Sequence, residues 1–164
     1  MTRLYGRAPL GERCVGTAPG GHWQTSTLLS AMRLTGPIEP ATLLLDGPID
    51  GVSFRGYVER FLAPALKRGD VVVMDNLASH KVAGVAEAIA SRGARVCYLP
   101  PYSPDLNPIE KLWSKIKTLV RRGAARTQHA LLRAVAAAFR AVAPTECRNY
   151  FASCGYATLA CSML

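Results

Sequence analysis

Val71-Val72-Val73-Met74-Asp75 is the stretch on which the fold turns. Four consecutive apolar residues predict a short strand buried on both faces, as strands of parallel sheets are. Gly69 stops the segment before it. Residues 82–90 predict a helix, with Ser79 as a candidate N-cap and Gly93 beyond its end. Residues 95–99 predict a second strand. A β-α-β unit of this size implies parallel strands joined by a right-handed crossover.

Upstream, residues 52–66 carry Phe54, Tyr57, Val58, Phe61, Leu62 and Leu66 at helical spacing, with Asp50 or Ser53 as caps and Pro64 as a late bend or end. Before that helix the text reads as β: strands at 13–17, 22–34 and 41–45, separated by Pro19-Gly20-Gly21 and Gly36-Pro37 and closed by Asp46-Gly47-Pro48. Short turns make an antiparallel meander the expected arrangement. Downstream, Pro100-Pro101-Tyr102-Ser103-Pro104 is a stiff loop that cannot be helical. Asn107 then caps a helix with Pro108 at its first position, running to Arg122. Helices at 128–142 and 144–152 complete an α/β chain of one domain, 1–164.

The chain has 164 residues, 49% of them hydrophobic, which suits one globular domain with one sizeable core. No apolar run reaches the roughly 18–20 residues of a membrane span, and residues 1–11 lack a signal-peptide core, so a cytoplasmic protein is the expectation. A formal charge of +9 and a pI near 9.7 favour a polyanionic partner, because Lys and Arg displace the counterions condensed on nucleic-acid phosphates. The five cysteines, Cys14, Cys97, Cys147, Cys154 and Cys161, are odd in number and include no CxxC pair. They argue against a disulfide framework or a zinc site. The last three, spaced by seven, read as buried reduced thiols on one helix face.

Two acids stand out. Asp75 ends the apolar run, and the carboxyl end of a buried parallel strand is where α/β sheets place ligands; the plainer reading is a turn cap. Glu110 lies in the first turn of the proline-started helix, at the rim of a stripe formed by Ile109, Leu112, Trp113, Ile116, Leu119 and Val120, beside Lys117. There it could equally just complement the helix dipole. Two acids sharing one cleft must be protonated or bridged by a cation. Oxygen ligands select Mg²⁺ or Mn²⁺, and a pair of such ions can drive phosphodiester chemistry.

The text from Gly69 through Asp75-Asn76-Leu77-Ala78-Ser79-His80-Lys81, followed by Leu99-Pro100-Pro101-Tyr102-Ser103-Pro104-Asp105-Leu106-Asn107-Pro108-Ile109-Glu110, resembles the DDE transposases of bacterial insertion sequences in the mariner-like superfamily. The 34 residues between Asp75 and Glu110 match that superfamily's separation of its second and third catalytic acids. Lesser matches run from Tyr5-Gly6-Arg7 through Asp46-Gly47-Pro48 to Cys154-Gly155-Tyr156.

The resemblance implies a ribonuclease-H-like fold, a mixed five-stranded sheet flanked by helices. It also implies metal-assisted cleavage of double-stranded DNA at element ends and strand transfer into a target. Asp75 and Glu110 are then catalytic and metal-binding, with Mg²⁺ or Mn²⁺, two ions, as cofactor. The family's first catalytic Asp lies on the first strand, a short distance before text like Thr2-Arg3-Leu4-Tyr5-Gly6-Arg7. The chain is therefore expected to be a C-terminal portion without part of that strand and without the helix-turn-helix region, inactive alone. Asp46 and Asp50 lie in a strand-end loop and are not expected to replace the missing acid. Two alternatives remain: a catalytically dead remnant that binds DNA or co-assembles with an intact transposase, and an unrelated ribonuclease-H-like nuclease.

Around the pair, His80 has two readings, an approach to the metal site or a phosphate, and a capping or core-rim residue. Asn76 either orients Asp75 or makes the turn. Asn107 is a helix cap. Tyr102 and Trp113 are read as packing residues rather than base-stacking ones. Lys111, Lys115, Lys117, Arg121, Arg122 and Arg126 cluster on and after the Glu110 helix, either as a solvated face or as a phosphate-contact stripe.

Overall fold

The computed structural model describes residues 6–16 and 25–156. Residues 13–16 form no strand and are exposed, contrary to expectation, and Thr17 lies outside the described residues. The long strand expected at 22–34 begins outside them too, and its described part is two strands. These are β1 (Ser26–Leu29) and β2 (Met32–Arg33). β2 folds back on β3 (Gly36–Pro37), and β4 (Leu43–Asp46) runs antiparallel to β1 from Ser26↔Asp46 to Leu29↔Leu43. The break has a local cause: Ser30 and Thr42 join through their hydroxyls at 2.7 Å, and the Ala31 carbonyl accepts the Ile38 N–H at 2.8 Å. The chain thus leaves the β1–β4 ladder and enters the separate β2–β3 hairpin.

α1 (Gly51–Tyr57) is capped by the Asp50 carboxylate, which accepts the Ser53 N–H at 2.8 Å. It continues as a π turn, Val58–Leu62, and ends in α2 (Ala63–Ala65). Pro64 has no N–H to offer the preceding turn, and the ladder widens just before it, with the Ala63 N–H reaching the Val58 carbonyl. The buried Tyr57 hydroxyl donates to the Ala41 carbonyl at 2.7 Å, tying this helix to the strands.

β5 (Val71–Met74) and β6 (Arg95–Tyr98) pair in parallel from Val71↔Arg95 to Met74↔Tyr98, as the β-α-β pattern predicts. The helix between them is shorter than expected. A 3₁₀ turn occupies Ala78–Lys81, so Ser79 is no cap, and α3 (Val85–Ala90) starts after Gly84. Gly84 has φ +97°, a left-handed backbone that stops a helix from starting at Val82. The Glu87 carboxylate accepts the Gly84 N–H at 2.8 Å.

α4 (Pro108–Arg122), α5 (Gln128–Arg140) and α6 (Pro144–Ser153) follow, close to expectation. Strand alternation then builds three layers. Leu29, Leu43, Val72, Met74, Val96 and Tyr98 face a core with Phe54, Val58, Val85 and Ile89 of the first helices. Leu28 and Met32 face a second core with Leu112, Ile116, Val120, Val135, Ala138, Val142 and Cys147. Alternate residues of one strand, pointing to opposite faces, thereby serve both cores.

β5 is not buried on both faces: Val72 and Met74 join the first core, while Val71 is 44% exposed. Among the described residues the strands pair as three two-stranded ladders, and β5 has β6 as its partner. Cys147 and Cys154 are buried free thiols, Cys14 and Cys97 are exposed, and Cys161 lies outside the described residues. No described helix is long and apolar enough to cross a membrane.

Candidate active site

Asp75 sits where β5 ends. β6 lies parallel beside it, so both strands finish at one edge of the ladder, and the Leu99 N–H donates to the Met74 carbonyl at 2.8 Å there. The loop after Asp75 and the proline loop after Leu99 therefore leave from neighbouring points. The Asp75 side chain is 43% exposed overall, yet its Oδ1 atom is sealed from solvent and has no hydrogen-bond partner. Asn76 Oδ1 and His80 Nδ1 are sealed and unpartnered in the same way. His80 Nδ1 approaches Asp75 Oδ1 to 2.5 Å without hydrogen-bond alignment, an electrostatic contact rather than a satisfied bond. The imidazole is held by stacking on Phe54, with ring centroids 4.2 Å apart, and the His80 carbonyl accepts from the Tyr98 hydroxyl at 2.9 Å. Three sealed polar atoms within six residues thus lack an aligned hydrogen bond.

Glu110 is exposed in the first turn of α4, its N–H donating to the Asn107 carbonyl at 3.1 Å. Asn107 holds the N-cap position but makes no side-chain cap bond; its side chain is buried instead. The N–H that such a cap would take, that of Glu110, is engaged by the Asn107 carbonyl instead. The loop before α4 is tied down by a 3₁₀ turn, Pro104–Leu106, and by the Tyr156 hydroxyl donating to the Leu106 carbonyl at 3.0 Å. The apolar stripe of α4 packs as expected, with Leu112, Ile116 and Val120 buried.

The basic residues separate into two groups. Lys111, Lys117, Arg121, Arg122 and Arg126 are exposed. Lys115, expected to face solvent, is bound to both oxygens of Glu146, at 2.6 Å to Oε1, and to the Ala141 carbonyl at 2.9 Å. This contact draws the Glu146 carboxyl below its usual range and holds α4 against α6. Sequence spacing could not reveal it, because Glu146 lies 31 residues away.

The two acids of the strand-end loop have structural work. Asp50 caps α1, and Asp46 accepts from Gln128 Nε2 at 2.6 Å. No group of three His, Cys, Asp or Glu residues that could hold a metal ion occurs among the described residues.

The profile of the family described as DDE superfamily endonuclease matches residues 1–132. The chain belongs to that family. Both Asp75 and Glu110 lie inside the matched region. No curated protein matches the chain. Among solved structures, the crystal structure of the Mos1 mariner paired-end complex with Mn is similar at a TM-score of 0.74 and 15% identity, over 97% of this chain and 51% of that one. The Mos1 strand transfer complex is similar at 0.71 and 17% identity, over 94% of this chain and 46% of that one. At such identities the likeness shows the fold, a mixed α/β arrangement. The chain spans about half the length of those proteins.

Proposed function

We propose that this DDE endonuclease chain is the catalytic portion of an insertion-sequence transposase that cleaves DNA and transfers its strands at phosphodiester bonds. Its strands then belong to one five-stranded ribonuclease-H-like sheet within a single domain, 1–164. The observation that carries the reading is the sealed, unpartnered Asp75 Oδ1 at the end of β5. A carboxylate oxygen sealed from water, whose close neighbour is an imidazole nitrogen set off hydrogen-bond alignment, is suited to a cation. Asn76 Oδ1, orphaned beside it, and Glu110 add further hard oxygens, a donor set that fits Mg²⁺ or Mn²⁺, with two ions as the family resemblance implies. When bound, such ions activate a water or 3′-hydroxyl and stabilise the leaving oxygen.

The chain's own residues do the rest. The ring of His80, fixed on Phe54, holds the Asp75 carboxylate in one orientation. Glu110 faces solvent on a helix whose start is clamped by the proline loop. Lys117 and Arg121 follow Glu110 at seven and eleven positions, on one line of α4, and are placed to hold phosphates, with Lys111, Arg122 and Arg126 at the flanks. Lys115 is engaged by Glu146 and is no part of that set. By the same reading the partners are double-stranded DNA at element ends and target, and a second copy or an intact transposase, in a bacterial cytoplasm.

A second reading, a remnant that binds DNA or co-assembles without cutting, rests on the lack of a third acid beside Asp75 among the described residues. Two measurements separate them. Mn²⁺ binding followed by electron paramagnetic resonance should weaken at least tenfold in Asp75→Asn and Glu110→Gln. Nicking of element-end DNA, assayed in a full-length transposase carrying this chain, should vanish in both. Nicking that survives both changes would overturn the catalytic reading. Salt-sensitive DNA binding with neither Mn²⁺ binding nor nicking would establish the second.

A further inference from the structure

The sequence treats Tyr102 and Trp113 alike, as packing aromatics, and the structure separates them. Trp113 meets Phe139 edge-on at 6.2 Å and joins the second core. Tyr102 is fully exposed, at 102% of its reference surface, and has no aromatic neighbour among the described residues. Its backbone stands at φ +57°, a left-handed conformation that is an outlier for a bulky side chain. A single exposed aromatic needs no explanation by itself. Here the exposure coincides with backbone strain, which persists only where the surroundings impose it. Pro100, Pro101 and Pro104 impose it on this loop, and the Ser103 hydroxyl donating to the Pro101 carbonyl at 3.3 Å tightens the turn.

The position matters as much as the strain. The loop leaves β6 at the edge where β5 delivers Asp75, and it leads into the helix that carries Glu110. Leu77, 55% exposed, stands on the neighbouring loop, and Leu106 is exposed just beyond Tyr102. Among the described residues, three of the eight exposed large hydrophobic side chains thus lie on the two loops that frame the acids. Phosphate contacts explain none of these three.

We infer that the Tyr102 ring is a stacking platform for an unpaired base of the DNA strand whose phosphate occupies the Asp75–Glu110 site. The inference rests on the reading of that site as a DNA-cutting one. Every base has a π face, so a single aromatic presented clear of the protein accepts any of them once it leaves the duplex stack. Cleavage next to a duplex end brings such bases to the site, and enzymes working on DNA commonly take bases out of the stack. The strained loop fixes the backbone at Tyr102 before DNA arrives, which reduces the ordering lost on binding.

The test uses forked duplexes with unpaired arms, made with and without bases in the arms, and fluorescence anisotropy of the chain on each at two salt concentrations. The unchanged chain should prefer the base-bearing fork by roughly tenfold. Tyr102→Ala should lose that preference while keeping the salt dependence; Tyr102→Phe and Tyr102→Trp should retain the preference. Because Tyr102 touches no core, circular dichroism should show all three variants folded. A preference that persists in Tyr102→Ala overturns the inference, as does an equal loss on both forks or a Tyr102→Phe variant as impaired as Tyr102→Ala. If the unchanged chain binds neither fork in a salt-dependent manner, the DNA reading itself fails, and the inference with it.

Discussion

Arg33 and Asp70 join the end of β2 to the residue before β5. The guanidinium meets the carboxylate as a fork, Nη1 to Oδ1 at 2.9 Å and Nη2 to Oδ2 at 2.6 Å, and Nη2 also donates to the Ala65 carbonyl at 3.0 Å. Asp70 Oδ2 accepts the Lys67 N–H at 2.7 Å as well. The two side chains are 29% and 22% exposed, so solvent screens the pair only in part. Charged hydrogen bonds contribute about 1.5–3 kcal/mol each, and partial exposure places the whole fork near the low end, about 2 kcal/mol. Asp70→Ala should lower Tm by about 4–8 °C in a domain of this size. Asp70→Asn, which keeps one acceptor oxygen, should cost less. The direct assay is a double-mutant cycle with Arg33→Met, followed by urea unfolding, with an expected coupling of about 1 kcal/mol or more. Arg33 holds the Asp70 carboxyl below its ordinary range, chiefly through the hydrogen bonds of the fork. The stabilisation is therefore complete above the normal carboxylate pKa, and it is lost as the pH falls through the lowered folded value. The difference between the chain and Asp70→Ala should shrink below about pH 4. A coupling under about 0.3 kcal/mol at neutral pH, or a difference that does not change on acidification, would refute the assignment.

Two further outcomes concern α4. Lys117→Ala and Arg121→Ala should each reduce the slope of log affinity for duplex DNA against log salt by about 1, whereas Lys115→Ala should leave the slope unchanged and lower thermal stability instead. A slope reduced by Lys115→Ala would mean that the Glu146 contact opens on DNA. Leu112 is completely buried at the centre of the second core, and Leu112→Ala should cost about 2–5 kcal/mol in urea unfolding; a cost under 1 kcal/mol would show that this core collapses around the cavity.

Local chemistry was legible where one residue type settles a conformation. Pro108 at the start of α4, Asp50 at the cap of α1 and the parallel pairing of β5 with β6 follow from propensity and period. So does the place of Asp75 at a strand end. What the sequence hid depends on partners distant in the chain or on backbone sign. The strand at 22–34 reads as continuous because its composition is uniform, while its break is made by Thr42 and Ile38. Gly84 looks tolerable inside a helix until its positive φ is seen. Lys115 looks free because helical spacing reports its direction and not the acid on α6. The apolar text of β5 predicts cover on both faces, whereas cover is decided by neighbours. For the site, spacing and motif singled out Asp75 and Glu110, but only the fold shows that Asp75 Oδ1 and Asn76 Oδ1 are sealed without an aligned hydrogen bond and that Tyr102 stands clear of the protein.

The clamp of Lys115 on Glu146 bears on where this protein can be divided. The family match ends at residue 132, within α5, yet four of the seven buried residues of the second core, Val135, Ala138, Val142 and Cys147, come after it. Those residues, with Glu146 as an anchor, set the tilt of the helix whose first turn presents Glu110. The recognisable segment and the cooperative folding unit thus have different ends. A fragment trimmed to the family match would keep Asp75 and Glu110 and lose the packing that supports the helix of Glu110.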